Sequence, residues 1–530
     1  MPELHSRAAR WTVPLIVAAL GLSACAEPED DAAGESTAET PPAAEDAPES
    51  AQDTQGDGEA DERLADFYAQ EPDWEDCAAA MHCTDITVPV DYDDPEGDPL
   101  EIALIADSVS PDDDFVLTNP GGPGESGVDM VGEQLNGVVS AEVREELNIV
   151  GFDPRGVHRS DGVECMTDEE MDAYREEEAD PELNPDEEFA QAREQAEELG
   201  AQCADRTGEL LGHVDTFSAA RDMDIIRGAL GQDELHYMGF SYGTKLGMAY
   251  AELFPDLVGR FALDAMMDVT NGAHDLTVAQ AVGFEEALRG FAEWCAAEAE
   301  CTIAETPDEV VEAVRQLFAQ VDEQPVTVEP AGRTLNVSML VSGFITPMYS
   351  PEGWEFLAEA LTLALEEGDY YAFMFWADQQ AGRAPSGEYE WMSSWAFRSV
   401  MCLDYSMASD QESIEAEFEE LTERAPTFGP YLGHSGVLCA EWPHEPVSDG
   451  WEPGSIADQE LPPMLMVGTT GDPATPVQWA ESMHDAVPSS SLIVYEGEGH
   501  VAYRPGNDCV TDLVDAWLVD GELEEGRFAC

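Results

Sequence analysis

Short apolar runs set between turn-forming residues recur near positions 86–92, 101–109, 115–119, 147–153, 235–240, 260–265, 463–468 and 491–495. Stretches with a helical spacing of apolar residues lie between most of them. That alternation predicts an α/β fold, a mainly parallel sheet covered by helices on both faces, because parallel neighbours need a crossover and a helix supplies it. Between positions 268 and 461 the strand rhythm stops and the pattern turns helical, as at 279–298, 307–321 and 352–367. This insertion carries many aromatics, among them Trp354, Tyr370, Tyr371, Phe375, Trp376, Trp391 and Trp395. Large rings fill cores more often than pockets, so none is assigned to binding. The pattern divides the chain into a sheet-bearing part at 63–268, a helical cap at 269–460 and a second sheet-bearing part at 461–530. A smaller acidic excursion between Cys165 and Cys203 reads as a surface helical pair.

One turn stands out chemically. Gly239-Phe240-Ser241-Tyr242-Gly243 follows the apolar run Leu235-His236-Tyr237-Met238 and precedes a small-residue stretch from Thr244 to Tyr250. Strand, sharp turn and helix with a serine at the apex form a nucleophile elbow, whose glycines relieve the crowding around a strained turn. The same five residues without that context would be an ordinary turn. A serine hydroxyl is a weak nucleophile at neutral pH, so a base and an orienting carboxylate are needed, and on such sheets they follow in the order serine, acid, histidine. Five histidines lie downstream: His274, His434, His444, His484 and His500. His500 follows the strand-like Ser491-Leu492-Ile493-Val494-Tyr495 in the loop Gly497-Glu498-Gly499-His500, which makes it the candidate base. Asp472 turns off the end of Met464-Leu465-Met466-Val467-Gly468 and is the candidate acid, with Asp268 as the second choice.

An oxyanion needs preorganised donors. Tyr242 N–H, next after the serine, is one candidate. Gly122 N–H is the other, in Asn119-Pro120-Gly121-Gly122-Pro123-Gly124 after the run Phe115-Val116-Leu117-Thr118. The competing reading of that loop, a phosphate cradle, lacks the Gly-Lys-Ser/Thr that should follow. These residues need no cofactor and no metal.

Taken in order, the glycine loop at 119–124, Gly151-Phe152-Asp153-Pro154-Arg155-Gly156, the elbow, Asp472-Pro473-Ala474-Thr475-Pro476 and Gly499-His500 resemble the secreted tripeptidyl aminopeptidase and proline iminopeptidase group of α/β-hydrolases. The resemblance covers nearly all of the chain beyond about residue 70, and the part from Trp442 to Cys530 is similar to the C-terminal region of the tripeptidyl branch. It implies Ser241 as nucleophile, Asp472 as orienting acid, His500 as base, and peptide substrates attacked at free N-termini. Proline iminopeptidases have histidine where Pro120 stands, a departure that favours the tripeptidyl branch. An esterase or lipase on the same triad is the alternative, and a non-catalytic binding protein on a retired scaffold is a third class. A free α-ammonium must meet a carboxylate in a partly dry pocket. Asp404 in Met401-Cys402-Leu403-Asp404-Tyr405 and Glu441 in Cys439-Ala440-Glu441-Trp442-Pro443 are candidates, with a structural role for either as the alternative.

The N-terminus reads as a targeting segment at 1–25: Arg7 and Arg10, an apolar stretch at 11–22, and Leu22-Ser23-Ala24-Cys25, which resembles a lipoprotein signal ending in a lipidated Cys25. Ordinary signal cleavage nearby is the alternative. Residues 26–62 hold 14 carboxylates and no Lys or Arg, a composition that cannot offset chain entropy and reads as a disordered tether. Setting Cys25 aside leaves ten of the 11 cysteines, an even number suited to an exported protein. Neighbours in sequence pair as Cys77 with Cys83, Cys165 with Cys203, Cys295 with Cys301, Cys402 with Cys439 and Cys509 with Cys530, a connectivity that rests on proximity alone. Metal binding is disfavoured because no paired Cys-x-x-Cys set occurs.

The net charge of −93, from 114 acids against 21 bases, still leaves about −80 on the folded part. Self-repulsion of that size argues against nucleic acid or an anionic membrane as partner, so the membrane is reached only through a lipid at Cys25. It points to salty surroundings. A monomer is expected.

Overall fold

The computed structural model describes residues 62–530 except 78–80, 112, 178–182, 299–300, 390, 434, 448–455, 457–460 and 523–524. Cys25, nearly all of the acidic tether and His434 lie outside the described residues.

Ten strands form one sheet: β1 (Glu75–Asp76), β2 (His82–Pro89), β3 (Pro99–Ala106), β4 (Phe115–Asn119), β5 (Asn148–Phe152), β6 (Leu235–Phe240), β7 (Val258–Asp264), β10 (Leu465–Gly471), β11 (Ser491–Glu498) and β12 (Arg527–Ala529). A separate hairpin pairs β8 (Val326–Val328) with β9 (Arg333–Leu335). The spatial order is β1-β2-β3-β5-β4-β6-β7-β10-β11-β12. Every pair from β5 onward is parallel, whereas β1–β2, β2–β3 and β3–β5 are antiparallel.

Alternation along the strands divides the core. Val116, Ile149, Met238, Leu465 and Ile493 face one layer, covered by helices Gly127–Val138, Ala141–Glu146 and Asp508–Asp520. Their neighbours Leu117, Val150, Tyr237, Met466 and Leu492 face the other, under helices Thr216–Ala229, Tyr242–Leu253 and Val477–Ala486. The chain runs from β4 to β5 on one side and then to β6 on the other. That reversal opens a crevice at the carboxyl ends of β4 and β6, where open α/β sheets bind ligands.

The insertion after β7 has a core of its own. Phe284, Leu288, Phe318, Phe344, Phe373 and Phe428 are buried together. They sit on helices such as Ala273–Ala297, Pro307–Glu323, Val337–Ile345 and Tyr371–Gln380 and the loop near 428. Local chemistry sets the helix starts: Thr306 caps Pro307–Glu323 by accepting from Glu309 N–H, and Pro307 occupies the first turn, where its missing N–H costs nothing. The Cys165–Cys203 excursion contains helices Asp168–Arg175 and Pro185–Thr207, the second opened by a capping box between Asn184 and Glu187.

Several expectations need correction. The strand expected at 86–92 is β2 and runs from His82 to Pro89, because the polar His82–Asp85 segment pairs with Ala103–Ala106 of β3. The β8–β9 hairpin interrupts the helical insertion, and β12 adds a last parallel strand beside β11. Both are only three residues per strand, too short to leave a two-residue period in sequence. All five disulfides pair as expected, Cys77–Cys83, Cys165–Cys203, Cys295–Cys301, Cys402–Cys439 and Cys509–Cys530, and mark a protein exported to an oxidising compartment. Among the described residues no helix is long and apolar enough to cross a membrane.

Candidate active site

The elbow departs from ordinary backbone geometry. Ser241 has φ 53° and ψ −123° and stands immediately before helix Tyr242–Leu253. Such a conformation persists only where its surroundings enforce it. A Cβ on Gly239 would lie 2.5 Å from Gly243 O, and one on Gly243 would lie 2.6 Å from Asn119 O, so larger residues are excluded at both positions. Ser241 N–H donates to Asp264 O at 3.0 Å, tying the turn to the end of β7.

Register brings the glycine loop alongside. Asn119 of β4 pairs with Gly239 of β6, so the segments after both strands leave the sheet together. A Cβ on Gly121 would meet Phe240 O at 2.5 Å and Tyr242 N at 3.0 Å, which shows how closely this loop lies on the elbow. Tyr242 N–H belongs to the first turn of its helix, whose amides have no intrahelical acceptor. Gly122 and Ser241 line the same cavity. The two N–H candidates thus lie on segments that border the cavity of the serine.

Asp472 and His500 come together from the ends of β10 and β11. Asp472 accepts from the N–H groups of Ala474 (2.8 Å) and Thr475 (2.9 Å), from the Thr475 hydroxyl (2.8 Å), and from His500 Nδ1 at 2.8 and 2.9 Å. With Nδ1–H committed to the carboxylate, Nε2 carries the lone pair. Nε2 is buried without a protein partner, in the cavity that Ser241 also lines. His500 N–H donates to Tyr349 O at 2.8 Å, and the Tyr349 ring stands edge-on to the imidazole at 5.5 Å. Asp264 accepts from Ala502 N–H (2.9 Å) and Tyr503 N–H (2.6 Å), pinning the histidine loop to β7. Burial pushes its carboxyl up to about 6, against the pull of those amides. Asp268, the second-choice acid, accepts from Thr270 N–H at 3.0 Å and the Thr270 hydroxyl at 2.6 Å and holds its own turn. His274 pairs with Glu420, and His484 with Ser490.

Two candidates for the substrate ammonium are corrected by the structure. Asp404 is fully buried beneath the pocket, where it takes Lys245 Nζ at 2.7 Å, Thr216 N–H at 2.9 Å and the Thr216 hydroxyl. Its acceptors are committed to joining the insertion to the helix behind Ser241. Burial works against the Lys245 ammonium, but Asp404 outweighs it and raises the lysine above its ordinary value. Glu441 pairs with Arg193 of helix Pro185–Thr207 and lines neither lobe of the cavity.

The cavity at Ser241 has two lobes that share Gly122, Ser241 and Tyr349. The larger, about 1220 Å³ to its open mouth, runs under the insertion and is lined by Lys245, Phe284, Phe397, Arg398, Met401 and Tyr405 among others. The smaller, about 760 Å³, lies on the His500 side and includes Glu125, Asp129, Trp391 and Tyr503. Glu125 escaped the sequence reading although it adjoins the glycine loop. Nothing local distinguishes it from the other surface-type acids of so acidic a chain. Burial, reinforced by the charge of Asp129, pushes its carboxyl up to about 8. Among the cap aromatics, Trp354, Tyr370 and Trp395 are core, and Trp391 alone of the seven faces the lobes.

A sheet whose strand ends present serine, acid and histidine beside paired backbone amides defines the α/β-hydrolase class, and within it a serine hydrolase. A family model described as TAP-like protein matches residues 425–530. The chain is 34% identical over 465 residues to the serine protease Hip1 of Mycobacterium tuberculosis, covering 84% of this chain and 87% of that one. It is 32% identical over 457 residues to Carboxylesterase B of the same species, at 84% and 86% coverage. With the tripeptidyl aminopeptidase of Streptomyces lividans it shares 30% identity over 475 residues, 86% of each chain. The chain belongs to this TAP-like family of α/β-hydrolases.

Proposed function

We propose that the protein is an exported serine exopeptidase that releases short peptides, tripeptides foremost, from free N-termini. The observation that carries this reading is His500, held by Asp472 through Nδ1 with Nε2 turned unpartnered into the cavity of Ser241, in a chain similar over most of its length to a named tripeptidyl aminopeptidase. Ser241 Oγ attacks the scissile carbonyl while His500 Nε2 takes its proton. The Gly122 and Tyr242 N–H groups receive the oxyanion. The imidazolium returns the proton to the departing amine, and water, activated by the same histidine, clears the acyl-enzyme. Asp472 fixes the tautomer throughout.

The likeness to Carboxylesterase B favours ester hydrolysis as the second reading, because the same residues serve both bonds. A panel of aminoacyl, dipeptidyl and tripeptidyl chromogenic amides beside short acyl esters separates the two. Tripeptidyl amides should give the highest kcat/KM. Turnover of esters alone would make it a carboxylesterase, and N-acetylated peptides cleaved as fast as free ones would remove the exopeptidase reading. A lipid on Cys25 and an acidic tether would hold the enzyme at the cell surface, which partitioning of the mature protein into detergent would test.

A further inference from the structure

The two lobes at Ser241 differ in the charged side chains that line them. The larger is lined by Lys245 and Arg398 and, among the described residues, by no carboxylate. The smaller is lined by Glu125 and Asp129 and by no Lys or Arg. Asp129 is already matched, since Arg159 Nη2 lies 2.6 Å from its Oδ1. Glu125 has no ion pair among the described residues, is half-buried, and shares its lobe with the rings of Trp391 and Tyr349. A carboxylate in a lobe lined with aromatic rings is the chemistry that holds an alkylammonium or guanidinium group. We propose that Glu125 is a specificity-determining residue whose lobe takes the positive group of a peptide bound at Ser241.

This rests on the peptidase reading and adds to it the group that selects the substrate. Two sources share the chemistry, the N-terminal α-ammonium and a Lys or Arg side chain. The Glu125 carboxyl lies near Asp129 and Tyr349, with His500 lining the same lobe and Arg159 paired with Asp129, and burial favours its neutral form. An arriving cation supplies the missing counter-charge, so Glu125 ionises as the substrate binds. The larger lobe has no carboxylate among its described lining residues, its Lys245 being already paired with Asp404, and takes the apolar parts of the peptide.

The test measures labelling rates of Ser241 in the full chain and in Glu125→Gln with four phosphonate probes. One is a neutral alkyl fluorophosphonate. The others are tripeptidyl phosphonate diphenyl esters: one apolar with a free N-terminal ammonium, one N-acetylated with a butylammonium side chain, and one N-acetylated and apolar. Glu125→Gln should slow one or both cationic probes by roughly tenfold or more while the uncharged probes stay within about twofold. Slowing confined to the free α-ammonium assigns the N-terminus, and slowing confined to butylammonium assigns a basic side chain. Equal slowing of all four, or of none, overturns the proposal. A wild type that reacts with the probes but cleaves no peptide amide removes the peptidase reading and leaves this result standing. A wild type inert to the neutral probe removes the nucleophile and this lobe's role together.

Discussion

The sheet that presents Ser241, Asp472 and His500 and the helical insertion that roofs them are held by different means. Sheet residues reach the site through strand ends, and local turns finish the work: the Gly239–Gly243 elbow, the Asp472 turn closed on Thr475, and the histidine loop pinned by Asp264. The insertion has its own apolar core, its Leu276, Trp395, Leu403 and Leu438 also pack into the sheet core, and ion pairs add to that joint. Arg333 Nε reaches Glu176 at 2.6 Å, Arg383 Nε reaches Asp172 at 2.6 Å, and Arg175 Nη1 reaches Asp378 at 2.8 Å, all between the insertion and helix Asp168–Arg175 or its end. Lys245, the only lysine, joins Asp404 at the base of the pocket. In a chain with 21 bases against 114 acids, Arg175, Lys245, Arg333 and Arg383 are spent where the cap meets the rest of the chain. The contrast sets the chemistry, placed by strand ends and local turns, against the roof of the pocket, whose joint to the sheet domain adds ion pairs to apolar packing.

The sharpest break falls on the sheet side. Ser241→Ala should lower turnover by roughly 10⁶-fold, as loss of a triad serine does elsewhere, without moving the melting temperature. Kinetics and fluorophosphonate labelling check it, and labelling that persists at another serine would place the nucleophile elsewhere. Asp472→Asn should cost about 10⁴-fold through the wrong histidine tautomer, while Asp268→Asn, which loosens only its own turn, should change turnover a few-fold at most. The reverse ranking would mean the wrong carboxylate has been chosen.

On the cap side the largest effect is one of stability. Lys245→Met leaves Asp404 buried without its cation and should destabilise the protein by about 3–5 kcal/mol in chemical denaturation. Adding Asp404→Asn should restore a good part of that loss. If the single and double variants are equally unstable, packing rather than charge makes the joint.

Salt acts on both regions at once. About 80 net negative charges on the folded part lie well within a screening length of roughly 30 Å at 0.01 M, which falls to roughly 3 Å near 1 M. Sodium chloride should therefore raise the melting temperature, and sulfate should raise it further at equal ionic strength by strengthening apolar burial. A flat melting temperature up to about 3 M would remove the reading of adaptation to salt. The last effect concerns Glu125 and is read by pH. Its carboxyl rises from 4.5 to about 8 through burial and the nearby Asp129, so the native state holds a proton that the unfolded chain releases across that window. Stability from this group is present below about 4.5 and is lost as pH rises toward 8. Glu125→Gln lacks that loss, and its melting-temperature advantage over wild type should grow between pH 5 and pH 9. An advantage independent of pH would place Glu125 in a wetter setting.

Periodicity and turn chemistry carried the sheet domain in the sequence. The runs at 115–119 and 235–240 coincide with β4 and β6, and the elbow, the Asp472 turn and the Gly499-His500 loop each declare themselves within a few residues. Those features are local, so the residues that make them are adjacent in the chain. The acids of the cap declared nothing of the kind. Asp404 and Glu441 were credible only as acids near a disulfide, yet one is spent on Lys245, 159 residues away, and the other on Arg193, 248 residues away. Glu125 looked like any other acid in a chain that holds 114. The sequence by itself determined the fold class and set out the serine, acid and histidine candidates in order, because each is written in short-range pattern, whereas the disulfide pairing rested on proximity along the chain. Which carboxylate meets a cation, and which stays open to the pocket, was decided only when tertiary packing set burial and distance, since a charge takes its role from what surrounds it in space.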